Sequence, residues 1–317
     1  MADLWSLSDL CTPWCVHVAA TLRVAENIQA GHSEIGALAE ACGADRESLQ
    51  RMLRHLASKG VFEEASPGRF TLNHAARGLI DGRIGFDLDG IGGRMAYAWS
   101  TLLPAVRTGR PAYHEVFGRP FWDDLEANPK IAASFDELMG IAGHGAPDPE
   151  VLVNPADWER VKSVVDVGGG TGVLLTEILR AHPGIEATLV ELPRAAARAA
   201  EVPGLTVVAQ SFFDPLPAGR DLYILKSVIG DWPDAEARRI LQRCADAARP
   251  AGRVVVFTCA DAGKQADPEL LMMVLVGGKG RSLEEFRELA GSAGLEVTAC
   301  GHQPTGRGIV ECRPLAR

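Results

Sequence analysis

The chain has 317 residues, of which 47% are hydrophobic, and it carries a formal net charge of −9 with a pI near 5.4. This length allows two domains, each with enough apolar side chains for a core. The acidic balance argues against general nucleic-acid binding, which needs a basic surface, and against docking on anionic lipid. No hydrophobic run reaches the roughly 18 residues of a membrane span. The N-terminus lacks the basic region of a signal peptide, so we expect a cytoplasmic protein.

Residues 15–80 follow the order helix, helix, helix, hairpin. A serine begins the second helix, Asp45 caps the third, and Gly60 ends it. The predicted elements are helices at 16–25, 33–39 and 46–59 and strands at 61–64 and 69–72. This order predicts a winged helix-turn-helix domain over residues 1–84.

A winged helix has two interpretations, because the fold alone does not define a function. The first is DNA binding through the third helix, which carries Arg46, Arg51, Arg54 and Lys59. The second is a dimerisation domain that has the same shape. The acidic net charge favours dimerisation.

Residues 85–150 are predicted to be a helical linker that also contributes a substrate pocket. The segment is rich in large apolar side chains, and most of these will pack in a core. Aromatic side chains between two domains are also typical of a pocket for a flat ligand. The candidate pocket residues in this segment are Trp99, Phe121, Phe135 and Met139.

The pattern changes to alternating strands and helices from residue 163 onward. Short buried strands rich in valine and leucine are separated by helices at 235–249 and 282–293. The predicted strands are 164–167, 187–190, 205–208, 221–225, 253–257, 296–298 and 308–312. This alternation predicts an α/β fold with a doubly wound, Rossmann-like sheet over residues 151–317.

The strongest motif is the glycine-rich run from Asp166 to Gly172, which directly follows a strand and begins a helix. Such a turn lets backbone N–H groups approach a ligand closely. Glu191 ends the next strand, where a carboxylate can accept both hydroxyls of a ribose. Nucleotide-binding folds share the turn, so the rest of the chain must decide the ligand.

Four motifs together resemble the small-molecule O-methyltransferases of plants and of actinobacterial antibiotic pathways. They are residues 164–172, Glu191-Leu192-Pro193, residues 211–217 and residues 225–234. N-terminal motifs at 106–109, 120–122 and 135–139 are similar to the same family. The resemblance implies a homodimer, S-adenosylmethionine (or S-adenosylhomocysteine) as the cofactor, and an aromatic or polyketide-like substrate.

The resemblance also implies roles for individual residues. Asp166, Gly168 and Gly170 would flank the methionine half of the cofactor, and Glu191 and Leu192 its ribose. Further residues of the cofactor site would be Ser211, Phe212, Lys226 and Trp232. Phe212 would lie against the adenine, and Met139 and Met272 resemble methionines that clamp an aromatic substrate.

The chain departs from the family pattern at the acid–base residues. Gly230 stands where the family has the histidine that takes the substrate's hydroxyl proton. Thr258 and Gly280 stand where it has two glutamates beside that histidine. Ser211 replaces an aspartate that accepts from the adenine amine. The turn and Glu191 remain, so we expect cofactor binding to survive with lower affinity.

Three functions are compatible with these replacements. The first is methyl transfer by proximity, in which positioning supplies most of the barrier reduction. The second is a repurposed enzyme that keeps the methyl group, for decarboxylation, hydroxylation or cyclisation, with the sulfonium as a fixed charge. The third is a non-catalytic winged-helix regulator. Incubation with labelled S-adenosylmethionine distinguishes the first two functions, because only methyl transfer moves the label to the product.

Several side chains are candidates to replace the missing base. Asp231 adjoins Gly230, and His144 lies on the linker, with an imidazole that titrates near neutral pH. Further candidates come from loops at the carboxyl ends of strands: Lys279, Arg281, Cys259 and His302.

Seven cysteines are scattered along the chain. Cys11 and Cys15 are four residues apart, but no second pair nearby completes a zinc site. The others are Cys42, Cys244, Cys259, Cys300 and Cys312. We expect all to be reduced and most to be buried, and no metal site is predicted.

Overall fold

The computed structural model describes residues 3–141, 147–199, 202–258, 266–303 and 307–316. The chain forms two compact units. The N-terminal unit comprises Met1–Tyr97 and Asn128–Leu138, and the C-terminal unit comprises Ala98–Ala127 and Met139–Arg317. The segment predicted as a linker, residues 85–150, is divided between them.

The N-terminal unit consists of helices and one hairpin. Its helices are Leu4–Leu7, Cys11–Thr21, Val24–Gln29, Ile35–Cys42, Arg46–Ser58, His74–Asp81, Arg83–Phe86, Ile91–Ala98 and Pro129–Met139, of which the last two each end one residue inside the other unit. The strands β1 (Glu63–Ser66) and β2 (Arg69–Thr71) pair in antiparallel register. The predicted order of helices and hairpin is therefore present.

The helix Arg46–Ser58 shows why the N-terminal unit folds this way. The Asp45 side chain accepts a hydrogen bond from Ser48 N and caps the helix, which satisfies a backbone donor that would otherwise lack a partner. Leu49, Leu53 and Leu56 repeat at helical spacing and are buried in the core of the unit. Hydrophobic burial of one face thus fixes the helix on its neighbours.

Several predicted boundaries in this unit are wrong. The first helix, predicted over 16–25, is divided into Cys11–Thr21 and Val24–Gln29, because Arg23 between them has a φ of 54°. The second helix begins at Ile35 instead of Ser33, because the Ser33 hydroxyl accepts from Arg69 Nη1 at 3.0 Å and its carbonyl from Phe70 N. The first hairpin strand begins at Glu63, two residues later than predicted. Phe62 has a φ of 113°, outside the range of a strand.

The C-terminal unit contains a seven-stranded sheet in the order β5-β4-β3-β6-β7-β9-β8. Its strands are β3 (Ser163–Val167), β4 (Glu186–Glu191), β5 (Leu205–Ala209), β6 (Leu222–Leu225), β7 (Arg253–Thr258), β8 (Leu295–His302) and β9 (Gly308–Pro314). The first five strands of this order, from β5 through β4, β3 and β6 to β7, are parallel to their neighbours. Strand β9 is antiparallel to both β7 and β8. The predicted doubly wound sheet is confirmed.

The helices of this unit cover both faces of the sheet. Asp234–Ala248 and Leu283–Ser292 lie in the core cluster of one face, and Val173–Ala181 lies in that of the other. The further helices of this unit are Leu102–Thr108, His114–Phe117, Phe121–Ala127, Pro193–Ala199 and Ala266–Leu275, with 3₁₀ turns at Trp99–Thr101, Pro155–Arg160 and Ile229–Asp231. Every residue of β3 and β6 is buried, as parallel strands with two covered faces require. The strand order reverses between β3 and β6, and ligands bind at such a switch point in α/β sheets.

The cysteines are less buried than the sequence predicts. Among the six described, only Cys244 and Cys312 are buried, whereas Cys11 and Cys300 are exposed. Burial raises the pKa of the Cys312 thiol to about 12. All six are free thiols. None of the helices in the described part of the chain is long and apolar enough to cross a membrane.

Candidate active site and cofactor site

The glycine turn after β3 provides an open backbone surface at the switch point. Gly168, Gly170 and Gly172 have φ values of 74°, 61° and 78°, a conformation that side chains disfavour. A Cβ at Gly168 would lie 3.0 Å from a Val228 methyl and 3.2 Å from the Phe212 ring. A side chain is therefore disfavoured at each of these positions, and the helix Val173–Ala181 follows directly.

Glu191 connects the end of β4 to this turn. Its Oε2 accepts from Gly170 N at 2.9 Å, and its Oε1 accepts from Leu192 N at 2.7 Å. Each carboxylate oxygen has a second lone pair, so the same carboxylate can accept hydroxyls from a ligand. The structure thus brings together three residues of the predicted cofactor site.

Asp166 lies at the centre of the site and is 1% exposed. Burial raises the pKa of this carboxyl to about 7, the nearby Lys226 opposes the shift, and Glu191 adds to it. Burial likewise lowers the pKa of Lys226. The Oδ1 atom of Asp166 is buried without a hydrogen-bond partner among the described residues.

The residues present fit a ligand that carries a cationic or donor group beside a ribose. A buried acceptor without a partner costs about 1–3 kcal/mol, and a donor from a ligand would remove that cost for Asp166. A Cβ at Gly169 would collide with the same carboxylate. Acceptors at Asp166 and Glu191 and the open turn match the amino and hydroxyl groups of S-adenosylmethionine.

We expect the raised pKa of Asp166 to make the cofactor-free protein less stable as the pH rises. The folded state holds the carboxyl proton up to about pH 7, whereas the unfolded carboxyl loses it near 3.8. Between pH 3.8 and about pH 7 the folded state therefore binds more protons than the unfolded state. The free energy of unfolding thus falls as the pH rises through this range. Urea unfolding from about pH 4 to about pH 8 measures this fall.

The variant Asp166→Asn should show a smaller fall over the same pH range, because the asparagine does not titrate. A residual fall is expected from Asp231, the pKa of which burial also raises to about 7. Equal pH dependence of wild type and variant would contradict the assignment to Asp166.

An aromatic cluster borders the turn. The ring centroids of Phe212 and Trp232 are 5.9 Å apart and those of Phe213 and Trp232 are 5.1 Å apart, both edge to face. Trp122 stacks on Trp232 with centroids 6.2 Å apart, a contact that the sequence did not predict although Trp122 belongs to a recognised motif. The Ser211 hydroxyl accepts from Phe213 N at 3.2 Å. Predicted cofactor residues from two loops thus meet around Phe212.

Gly230 lies in the 3₁₀ turn Ile229–Asp231, which follows β6. A Cβ built on Gly230 would have nothing within 4 Å, so the position of the family histidine is open space. The neighbouring Asp231 is partly buried, with no hydrogen-bond or ion-pair partner for its carboxylate in the part of the chain that the structure describes. The pKa of this carboxyl, about 7, suits proton transfer near neutral pH.

The Arg281 side chain holds this turn by donating to backbone carbonyls of the turn and of the residue that follows it. The buried guanidinium donates to Ile229 O at 2.8 Å and to Trp232 O at 2.7 Å. It also donates to Asp234 Oδ1 at 3.0 Å. Because its donors are used on these backbone carbonyls, Arg281 positions the turn and is unsuited to replace a base.

The loop that carries Gly280 also meets the turn. A Cβ at Gly278 would collide with Gly230 O and with the backbone of Asp231. Lys279 Nζ pairs with Asp234 Oδ2 at 3.0 Å. The positions of the missing histidine and of one missing glutamate are therefore on neighbouring loops.

The predicted pocket residues are divided between the two units. Phe121 is buried, with its centroid 5.4 Å from that of Tyr113 and 5.0 Å from that of Trp122. Trp99 and Met139 are 39% and 43% exposed, and Met272 is partly buried on the helix Ala266–Leu275. These four belong to the C-terminal unit, and Phe135 belongs to the N-terminal unit. A common pocket for all five stays a prediction.

His144 and Cys259 lie outside the described residues, and of Thr258 the structure describes only the backbone, at the end of β7. His302 ends β8 and is exposed.

Comparison with known proteins identifies two family models in this chain. An O-methyltransferase domain matches residues 99–296, and an O-methyltransferase dimerisation domain matches residues 5–82. The two matches together cover most of both compact units.

Two of the similar proteins come from Streptomyces species. A 2,7-dihydroxy-5-methyl-1-naphthoate 7-O-methyltransferase of Streptomyces carzinostaticus is 41% identical over 98% of this chain and 97% of its own. An aclacinomycin 10-hydroxylase of Streptomyces purpurascens is 37% identical over 93% of this chain and 84% of its own. A solved O-methyltransferase from neocarzinostatin biosynthesis, in complex with S-adenosylmethionine and 2-hydroxy-5-methyl naphthoic acid, has a TM-score of 0.92 at 41% identity and covers 99% of both chains.

Proposed function

This chain belongs to the O-methyltransferase family, with S-adenosylmethionine as its cofactor, and on that premise we propose that it methylates a hydroxyl group of a flat aromatic or polyketide-like metabolite. The observation that carries the proposal is the glycine turn with Glu191 and Asp166, beside an aromatic cluster. The relatives that act on naphthoate and bind a naphthoic acid support a fused-ring substrate.

We propose the following roles for the cofactor residues. Asp166 would accept from the amino group, Glu191 would accept from the ribose hydroxyls, and Phe212 would lie against the adenine. Leu192, Ser211, Lys226 and Trp232 would line the rest of the site, together with Gly168 and Gly170. When bound, the cofactor supplies an electrophilic methyl group on a sulfonium.

Transfer in this chain would depend on positioning, with no histidine at residue 230. Well-oriented reactants gain effective molarities on the order of 10⁵ M or more, so alignment alone can supply most of the acceleration. The aromatic rings of Trp122, Phe212 and Trp232 pack together beside the turn. Asp231 is the group we propose as the proton acceptor, because it adjoins the open position and has a pKa of about 7. His144 stays a second candidate.

Restoring the histidine tests whether the open position is the site of proton removal. Gly230→His should leave the fold intact, because the Cβ meets no atom within 4 Å and the residue does not require a positive φ. We expect kcat to rise about tenfold to a hundredfold for a neutral phenol, since general-base catalysis contributes about 10²–10⁴-fold. The measurement is the initial rate of methyl transfer at saturating cofactor.

The matched control is Gly230→Ala, which fills the same space without a base and should leave kcat within about twofold of wild type. An equal rise in both variants would show that the imidazole is not responsible. A fall in both would contradict the assignment of open space at residue 230.

The N-terminal unit is proposed to serve dimerisation of two copies of this chain. The match to a dimerisation domain supports this function, and ion pairs on the helix Arg46–Ser58 disfavour DNA binding. Arg51 pairs with Glu47, and Arg54 donates to both carboxylate oxygens of Glu64. Such pairing weakens the positive potential that phosphate recognition requires. Sedimentation equilibrium should give twice the chain mass.

A further inference from the structure

We propose that Cys11, Cys15 and His55 form a zinc-binding site in the N-terminal unit. Their ligand atoms, two thiol sulfurs and one imidazole nitrogen, all lie within 4.8 Å of one another. Thiolate and imidazole are the ligands that zinc prefers in proteins. The sequence did not predict this site, because His55 is distant in the chain from the two cysteines.

The two thiols are already at the separation that zinc requires. Cys11 and Cys15 lie one turn apart on the helix Cys11–Thr21, on the same face, with Sγ atoms 3.9 Å apart. A tetrahedral ion with Zn–S bonds of about 2.3 Å holds two sulfurs about 3.8 Å apart. Binding would therefore need little movement of the helix.

His55 is held beside the thiols by a chain of hydrogen bonds. Its Nε2 lies 2.9 Å from the Thr12 hydroxyl, which donates to Asp9 Oδ2 at 2.5 Å. Asp9 also accepts from Cys11 N at 2.8 Å. These contacts hold the imidazole beside the two cysteines.

Three protein ligands leave one position of the tetrahedron for water. Cys11 is exposed, and Cys15 and His55 are partly buried, so an ion can enter and leave. The ligands come from two helices, Cys11–Thr21 and Arg46–Ser58. A bound ion would therefore join the helices and stabilise the N-terminal unit, because free energy of binding to the folded state adds to stability.

Cobalt serves as a spectroscopic probe for zinc. Titration of the reduced full-length protein with Co²⁺ should give a thiolate-to-cobalt charge-transfer band that saturates at one ion per chain and disappears on addition of Zn²⁺. Cys15→Ser and Cys11→Ser should each lose most of the band, and His55→Ala should weaken binding about tenfold or more. Cys300→Ser removes an exposed thiol elsewhere and should match wild type.

Zinc should also raise the Tm of wild type and of Cys300→Ser, with no rise in Cys11→Ser or Cys15→Ser. Far-ultraviolet circular dichroism without metal shows which variants fold. The proposal is tested on every one of the three ligand variants, Cys11→Ser, Cys15→Ser and His55→Ala, that folds. Absence of the charge-transfer band in wild type would overturn the proposal. A band of equal intensity in the folded Cys15→Ser variant would overturn it as well.

Discussion

Glu191→Gln is expected to weaken S-adenosylmethionine binding roughly 150-fold, because glutamine replaces one acceptor oxygen with an NH₂ group. The Glu191 carboxylate accepts from both Gly170 N and Leu192 N. These two backbone bonds form with or without cofactor, so the affinity changes through the two ribose hydroxyls, each of which would lose its bond to a charged oxygen. Two lost charge-assisted hydrogen bonds at about 1.5 kcal/mol each sum to about 3 kcal/mol, which corresponds to the stated change in Kd.

Isothermal titration calorimetry measures this change in the Kd directly. The matched control is Glu186→Gln on the same strand, β4, where the carboxylate is exposed and pairs with Arg220 Nη1 at 2.6 Å. The control should bind as wild type does, since an exposed pair contributes little. Equal affinity of Glu191→Gln and wild type would show that Glu191 does not hold the cofactor.

Asp231→Asn is expected to lower kcat about tenfold to a hundredfold and to remove the rise of kcat through neutral pH. A carboxyl with a pKa of about 7 is protonated at acid pH and accepts a proton only when ionised. If Asp231 takes the hydroxyl proton, kcat of wild type rises as the pH passes about 7. Positioning remains in the variant, so some transfer should persist.

The pH profile separates a base from a structural role. Asp231→Asn should keep the cofactor Kd and flatten the profile, whereas a merely structural defect would lower the rate at every pH. Asp81→Asn, an exposed position on the N-terminal unit, is the control and should keep the wild-type profile. An unchanged profile in Asp231→Asn would assign proton removal to another group, with His144 tested next.

The sequence predicts the sheet and the cofactor turn because their signals are local. Buried strands are visible as short apolar runs, and the turn needs glycines at residues 168, 170 and 172, where φ is positive. The replacement of the family histidine by Gly230 is also a local signal, because the flanking residues of one motif identify the position. The sequence does not show what surrounds Gly230. Only the structure shows open space where a side chain would stand.

Tertiary contacts account for what the sequence did not predict. Arg281 was a candidate for acid–base work, yet its donors are used on the carbonyls of Ile229 and Trp232. Ser33 was expected to cap a helix, but Arg69 binds its hydroxyl instead. In each case the partner lies far away in the chain, where no local pattern points to it.

The fate of the methyl group decides between methyl transfer and the methyl-retaining alternative, which the hydroxylase relative makes worth testing. The direct measurement is incubation with methyl-labelled S-adenosylmethionine and a panel of hydroxylated naphthoates and related phenols. Methyl transfer predicts labelled product and S-adenosylhomocysteine in equal amounts. A product that forms while S-adenosylmethionine stays intact would contradict it.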